Sequence, residues 1–119
     1  MYRIPEELDL SEIIEKFTTQ IRVGQYDIQF SFGEVDFAIQ SPVNIVRNGV
    51  VIGTWQSGMW PPEIFYEIMN IEVDRYEIPN NITIVIHLRN GIEIHLVDDS
   101  DMFECMQIST PGVQDPWII

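Results

Sequence analysis

Residues 82–108, ITIVIHLRNGIEIHLVDDSDMFECMQI, decide the fold. Apolar side chains alternate at Ile82, Ile84, Ile86 and Leu88 and again at Ile92, Ile94 and Leu96, the period of half-buried strands. Residues paired across an antiparallel ladder point to the same face, so the loop must hold the two apolar series opposite each other. A two-residue Asn90-Gly91 turn fails, because it sets Leu88 against Glu93 and Ile86 against His95. A three-residue Arg89-Asn90-Gly91 loop, with Gly91 left-handed at a bulge, pairs Leu88 with Ile92, Ile86 with Ile94 and Ile84 with Leu96. The other face then carries His87 opposite Glu93, with His95 opposite Val85 and diagonal to His87.

The same reasoning extends outward. Ile28, Phe30 and Phe32 alternate, as do Val35, Phe37 and Ile39, and a two-residue turn beginning at Gly33 pairs them in that order. Pro42 ends this hairpin, and Arg47-Asn48-Gly49 forms another tight turn that repeats the tripeptide at 89–91. Gly53 to Trp60 reads as a loop. Pro61 and Pro62 open a helix near 61–69, with Ile64, Phe65, Ile68 and Met69 on one side and Glu63, Tyr66 and Glu67 on the other. A shorter helix over 11–18 is capped by Ser11, with Ile14 and Phe17 inward. Ile21, Val23, Tyr26 and Ile28 are echoed by Ile71, Val73, Tyr76 and Ile78, which fits either an internal duplication or the common pattern of β-meanders.

The sequence therefore predicts one α+β domain over 1–119, mostly antiparallel sheet. Two strand-plus-hairpin modules, 18–52 and 71–108, are joined by a loop and helix at 53–70, and the tail 109–119 is irregular. The chain has 119 residues and is 45% hydrophobic, enough for a packed core without metals or disulfides. No apolar run has the length of a membrane span, the first residues lack the order of a signal peptide, and the single cysteine, Cys105, fits a reducing compartment. A cytoplasmic protein is expected.

Nineteen acidic residues face six basic ones, a net charge of −13, and Lys16 is the lone lysine. Such a surface repels phosphate backbones and anionic lipid, so neither nucleic acid nor membrane is an expected partner. It steers onto a protein with a basic surface, although acidity also serves solubility. Trp55, Met59 and Trp60 in the Gly53–Trp60 loop, with Asp98, Asp99 and Asp101 at the acidic corner, are the expected partner-binding residues, the alternative for the loop being that its side chains cover the sheet edge beneath the helix. The corner also has a purely structural reading, as a turn whose Asp and Ser side chains bond nearby amides. His87, Glu93 and His95 share one face and are the weak candidates for a metal; no cofactor is expected. Cys105 lacks a neighbouring base and reads as a buried thiol. Trp117-Ile118-Ile119 docks either on its own domain or on a neighbour, the second giving a homodimer.

From Ile84 to Cys105 the chain resembles the C-terminal signature of a family of small bacterial proteins of unknown function. The shared pattern is an alternating strand, an Asn-Gly or Asp-Gly turn, a second strand, Asp-Asp-Ser and then Tyr-Glu-Ser, met here as Asp98-Asp99-Ser100 and Phe103-Glu104-Cys105. Phe103 stands for the tyrosine and Cys105 for the serine. Val23-Gly24 through Phe32 fits more loosely. No catalytic residue comes with the resemblance. In size and acidity such proteins resemble immunity proteins that block bacterial toxins, which implies a non-enzymatic, acidic, protein-binding module. The alternatives are a ligand- or metal-binding β-rich domain with its site at His87, Glu93 and His95, and a homo-oligomeric structural protein.

Overall fold

In the computed structural model, which describes residues 3–100 and 103–119, the 82–108 hairpin has the predicted register. Strands β7 (Thr83–Leu88) and β8 (Ile92–Val97) pair Ile84 with Leu96, Ile86 with Ile94 and His87 with Glu93. Gly91 sits at φ +87°, and its amide donates to Leu88 O at 3.1 Å. The earlier hairpin is equally as expected. Strands β2 (Ile28–Phe32) and β3 (Val35–Ile39) pair Ile28 with Ile39, Phe30 with Phe37 and Phe32 with Val35 around Gly33 at φ +61°.

The remaining strands are β1 (Ile21–Val23), β4 (Val43–Arg47), β5 (Val50–Trp55), β6 (Val73–Asn80), β9 (Met106–Ser109) and β10 (Trp117–Ile118). They form two five-stranded sheets, β1-β2-β3-β9-β10 and β5-β4-β8-β7-β6, with every ladder antiparallel. One hydrophobic core draws on both sheets, from Phe30, Phe37 and Ile108 on one to Ile45, Ile86 and Ile94 on the other.

This architecture redistributes the expected modules. The 18–52 segment is split, because the chain changes sheet at Ser41-Pro42 and β4 pairs with β8. Strand β9 crosses back to pair with β3, Ile39 lying opposite Met106. The tail is not irregular throughout, since β10 pairs with β9. Nor do the echoed residues adopt one shape: Tyr26 lies between β1 and β2, whereas Tyr76 lies within β6. Alternation specifies hairpins strongly, but it does not say which hairpin edges meet.

The helices are shorter than expected, and no described segment forms a helix of the length the sequence suggested. Residues 61–69 give a six-residue 3-10 helix, Glu63–Ile68, and the N-terminal segment gives a 3-10 turn, Ser11–Ile13. The first has no side-chain cap, and it ends where Met69 turns extended and Asn70 takes φ +63°. Its β-branched and aromatic residues favour helix weakly, and a short segment tightens into 3-10 geometry. Its faces are as predicted, with Phe65 and Ile68 buried and Tyr66 and Glu67 exposed. At the N-terminus Glu15 at φ +70° stops the turn, and Ile13 is buried while Ile14 and Phe17 are exposed, the reverse of the expected inward pair.

Gly91 has no heavy atom within 4 Å of where a Cβ would stand. Gly91→Ala therefore costs backbone strain alone, about 1–2 kcal/mol, without a steric clash. Urea unfolding followed by tryptophan fluorescence should show a lowered midpoint with an unchanged slope.

Candidate functional site

The described surface carries one large apolar groove, about 840 Å³, between β1 and the Glu63–Ile68 helix. Ile21 and Val23 form one wall, Trp60, Tyr66 and Met69 the other, with Glu63 and Glu67 among the lining carboxylates. Trp60 is 78% exposed and Tyr66 75%, so two large aromatic side chains stand in solvent beside half-buried aliphatic ones. A smaller hollow of about 260 Å³ shares Val23 and Trp60 and continues towards Met59.

Each wall has a definite support. Gly53 lets the helix approach β5, because a Cβ there would stand 2.3 Å from Ile64 Cγ2. At one end of the groove the Gly58 amide donates to Gln25 O at 3.0 Å and the Ser57 hydroxyl to Tyr26 O at 3.0 Å, tying the tryptophan loop to the β1–β2 turn. At the other end the Asn70 amide donates to Thr18 O at 2.7 Å.

Trp55, expected at a partner surface, belongs to the core. It is fully buried, opposite Val43, and its Nε1 donates to Met59 O at 2.9 Å. Strand β5 reaches it because a bulge at Ile45/Val46 shifts the β4–β5 register, so the expected loop begins only after Trp55. The buried indole thus holds the carbonyl that precedes Trp60. Met59 and Trp60 are exposed as expected. The sequence reading missed Ile21, Val23 and Tyr66 as wall residues; the exposed side of the 61–69 segment was the available signal for Tyr66.

At the acidic corner Asp98 is buried and cannot reach a partner from this position. Its carboxylate meets Arg3 Nη1 at 2.9 Å and accepts from the Ser100 amide and from Cys105 Sγ, each at 3.2 Å. The corner thus anchors the N-terminal segment, a structural use of the carboxylate. Asp99 is exposed, and Asp101 lies outside the described residues. Burial, reinforced by the Asp98 carboxylate, pushes the Cys105 thiol up to about 12.

The histidine face separates into two pairs. His95 Nε2 lies 2.9 Å from Glu93 Oε1, while His87 Nε2 faces Glu77 Oε1 at 3.2 Å across to β6. A hydrogen bond from Arg75 holds the Glu77 carboxyl below its ordinary 4.5. Among the described residues no three His, Cys, Asp or Glu side chains converge on a point where an ion would sit. His87, Glu93 and His95 share a face, as the register requires, without forming one site.

Three other features lie apart from the groove and the histidine face. A polar cleft of about 240 Å³ is lined by Asp27, Gln29, Gln40, Glu104 and Gln107 around Ala38. Val50, Val51 and Ile52 are exposed on edge strand β5. The C-terminal residues dock on their own chain, Ile119 being buried with its carbonyl accepting from the Cys105 and Met106 amides at 2.6 and 3.0 Å. Among the described residues no helix is long and apolar enough to cross a membrane. Comparison with protein-family models, curated proteins and solved structures finds no match.

Because burial pushes the Cys105 thiol up to about 12, its alkylation by iodoacetamide in the native protein should be slow and should rise about tenfold per pH unit, without levelling off, between about pH 7 and 10. Unfolding in urea should speed the reaction on the order of a thousandfold at about pH 7 and make it level off above the ordinary thiol value of about 8.5. Fast labelling of the native protein that levels off above about pH 8.5 would contradict the buried assignment.

Proposed function

We propose that this chain is a non-enzymatic, acidic protein-binding module whose contact surface is the groove between β1 and the Glu63–Ile68 helix. The observation that carries the reading is the pair of exposed aromatic side chains, Trp60 and Tyr66, on an apolar groove held at both ends by backbone hydrogen bonds. Aromatic residues on a rigid concave surface lose little entropy on binding and dominate interface energetics. The net charge of −13 favours a basic partner and speeds encounter with it. An immunity-like inhibitor of a basic bacterial toxin is the concrete form, supported by size, acidity and the resemblance of residues 84–105.

The test is capture with wild-type and Trp60→Ala protein in parallel, then calorimetric titration of the purified partner. A basic partner is expected, with affinity falling at least about tenfold between about 50 and 300 mM salt. Trp60→Ala should weaken it by about tenfold or more again. A partner held equally well by both proteins at every salt concentration would contradict the reading.

A second reading rests on a separate observation. Val50, Val51 and Ile52 lie exposed on the β5 edge, and an uncharged edge strand is a template for pairing with a second copy. Light scattering should then report a dimer that Val51→Lys converts to monomer; a monomeric wild-type protein at high concentration excludes it.

A further inference from the structure

Resting on the groove as the contact surface, we infer that the partner contributes an extended segment that adds as a strand to β1, carrying basic side chains towards Glu63 and Glu67. The first support is the hydrogen-bond pattern of β1. The Gly24 amide donates to Asp27 O at 2.9 Å across the β1–β2 turn, which makes 24 and 27 a hydrogen-bonded pair. Hydrogen-bonded and non-hydrogen-bonded pairs alternate along an antiparallel ladder. Arg22 and Gln29 are therefore the next bonded pair, and Ile21–Phe30 and Val23–Ile28 are not.

The consequence is directional. The amides and carbonyls of Ile21 and Val23 point away from β2, and among the described residues β1 is the outer strand of its sheet, paired with β2 alone. These are the two residues that form the groove wall facing Trp60 and Tyr66. An open strand edge thus borders an apolar groove. Strand addition uses both at once, the edge supplying affinity through backbone bonds and the groove selecting alternate side chains.

Charge selects the occupant. Glu63 and Glu67 line the groove together with Trp60 and Tyr66, and the whole chain is strongly acidic. Arg47 Nη2 approaches Glu67 at 3.5 Å and offsets it in part, which leaves Glu63 as the main acidic contact. A lysine or arginine there meets a carboxylate and the face of Trp60 or Tyr66 together, a combination that holds guanidinium best. At about 3.3 Å per residue, the three residues of β1 span only a short ladder, so aromatic and charged contacts must supplement the backbone bonds.

The probe is an acetylated, amidated heptapeptide of alternating valine and arginine, titrated against the full chain and followed by Trp fluorescence and amide shifts. A matched peptide methylated on every backbone nitrogen keeps every side chain and charge but has no amide to donate from either edge. Val23→Pro removes one outward amide while leaving the Arg22–Gln29 bonds, a change edge strands tolerate. The inference expects binding with largest shifts at residues 21–23, weakened about tenfold or more by peptide methylation and by Val23→Pro. Binding that depends on Trp60 but is indifferent to both changes overturns strand addition and leaves the groove standing. Absence of binding at about millimolar peptide overturns the inference. Binding unaffected by Trp60→Ala counts against the groove itself.

Discussion

Two sheets that bury one face each against a common core leave two open flanks, and the rest of this structure depends on how those flanks are covered. Apolar side chains at the margins would otherwise meet water, and edge strands would present unpaired backbone groups. On the β6 side the N-terminal segment does the covering. The Ile4 amide donates to Asn81 O, the Leu10 amide to the Tyr76 hydroxyl and the Glu15 amide to Val73 O, so this segment follows β6 along its length. Leu8, Leu10 and Ile13 fill the margin beneath it, and Arg3 closes the far end on Asp98.

The opposite flank is covered differently. Its edges are β5 and β1, and the chain between Gln56 and Asn70 lies across it as a loop and a short 3-10 helix. Phe65 and Ile68 plug the core, and Gly53 admits Ile64 closely on the β5 side. Among the described residues the backbone bonds from the cover fall at its ends, on Gln25 and Thr18 to either side of β1. Between those ties lies the groove. Trp55 at the end of β5 and Trp60 in the loop that follows take opposite roles: the buried indole fixes Met59, and the exposed indole is what that fixation presents. A structural cover that stops short of one edge is thereby also a candidate recognition surface.

Both principal hairpins were legible in the sequence, because period-two alternation and a glycine with positive φ leave one register that buries every apolar residue. The tripeptide Arg-Asn-Gly shows why local sequence alone is not enough. At 47–49 it makes a two-residue turn with Asn48 at φ +53°, whereas at 89–91 it makes a three-residue loop. The flanking apolar pattern, not the tripeptide, chooses between them. Features set by distant contacts were not legible. The bulge that carries Trp55 into the core depends on pairing with β4, and the burial of Asp98 depends on Arg3, 95 residues away. Of the candidate site, Trp60 and Met59 could be found as aromatic and apolar residues in a loop. Ile21 and Val23 could not, because being a sheet edge follows from topology, which alternation does not encode.

The openness of the β1 edge is the claim on which strand addition stands, and amide hydrogen exchange measured residue by residue by NMR tests it most directly. The Arg22 amide, bonded to Gln29, should exchange more slowly than its neighbours, and the Ile21 and Val23 amides should exchange at rates close to those of unstructured peptide. Slow exchange at Ile21 and Val23 with fast exchange at Arg22 would place the free edge on the other side of β1 and contradict the account.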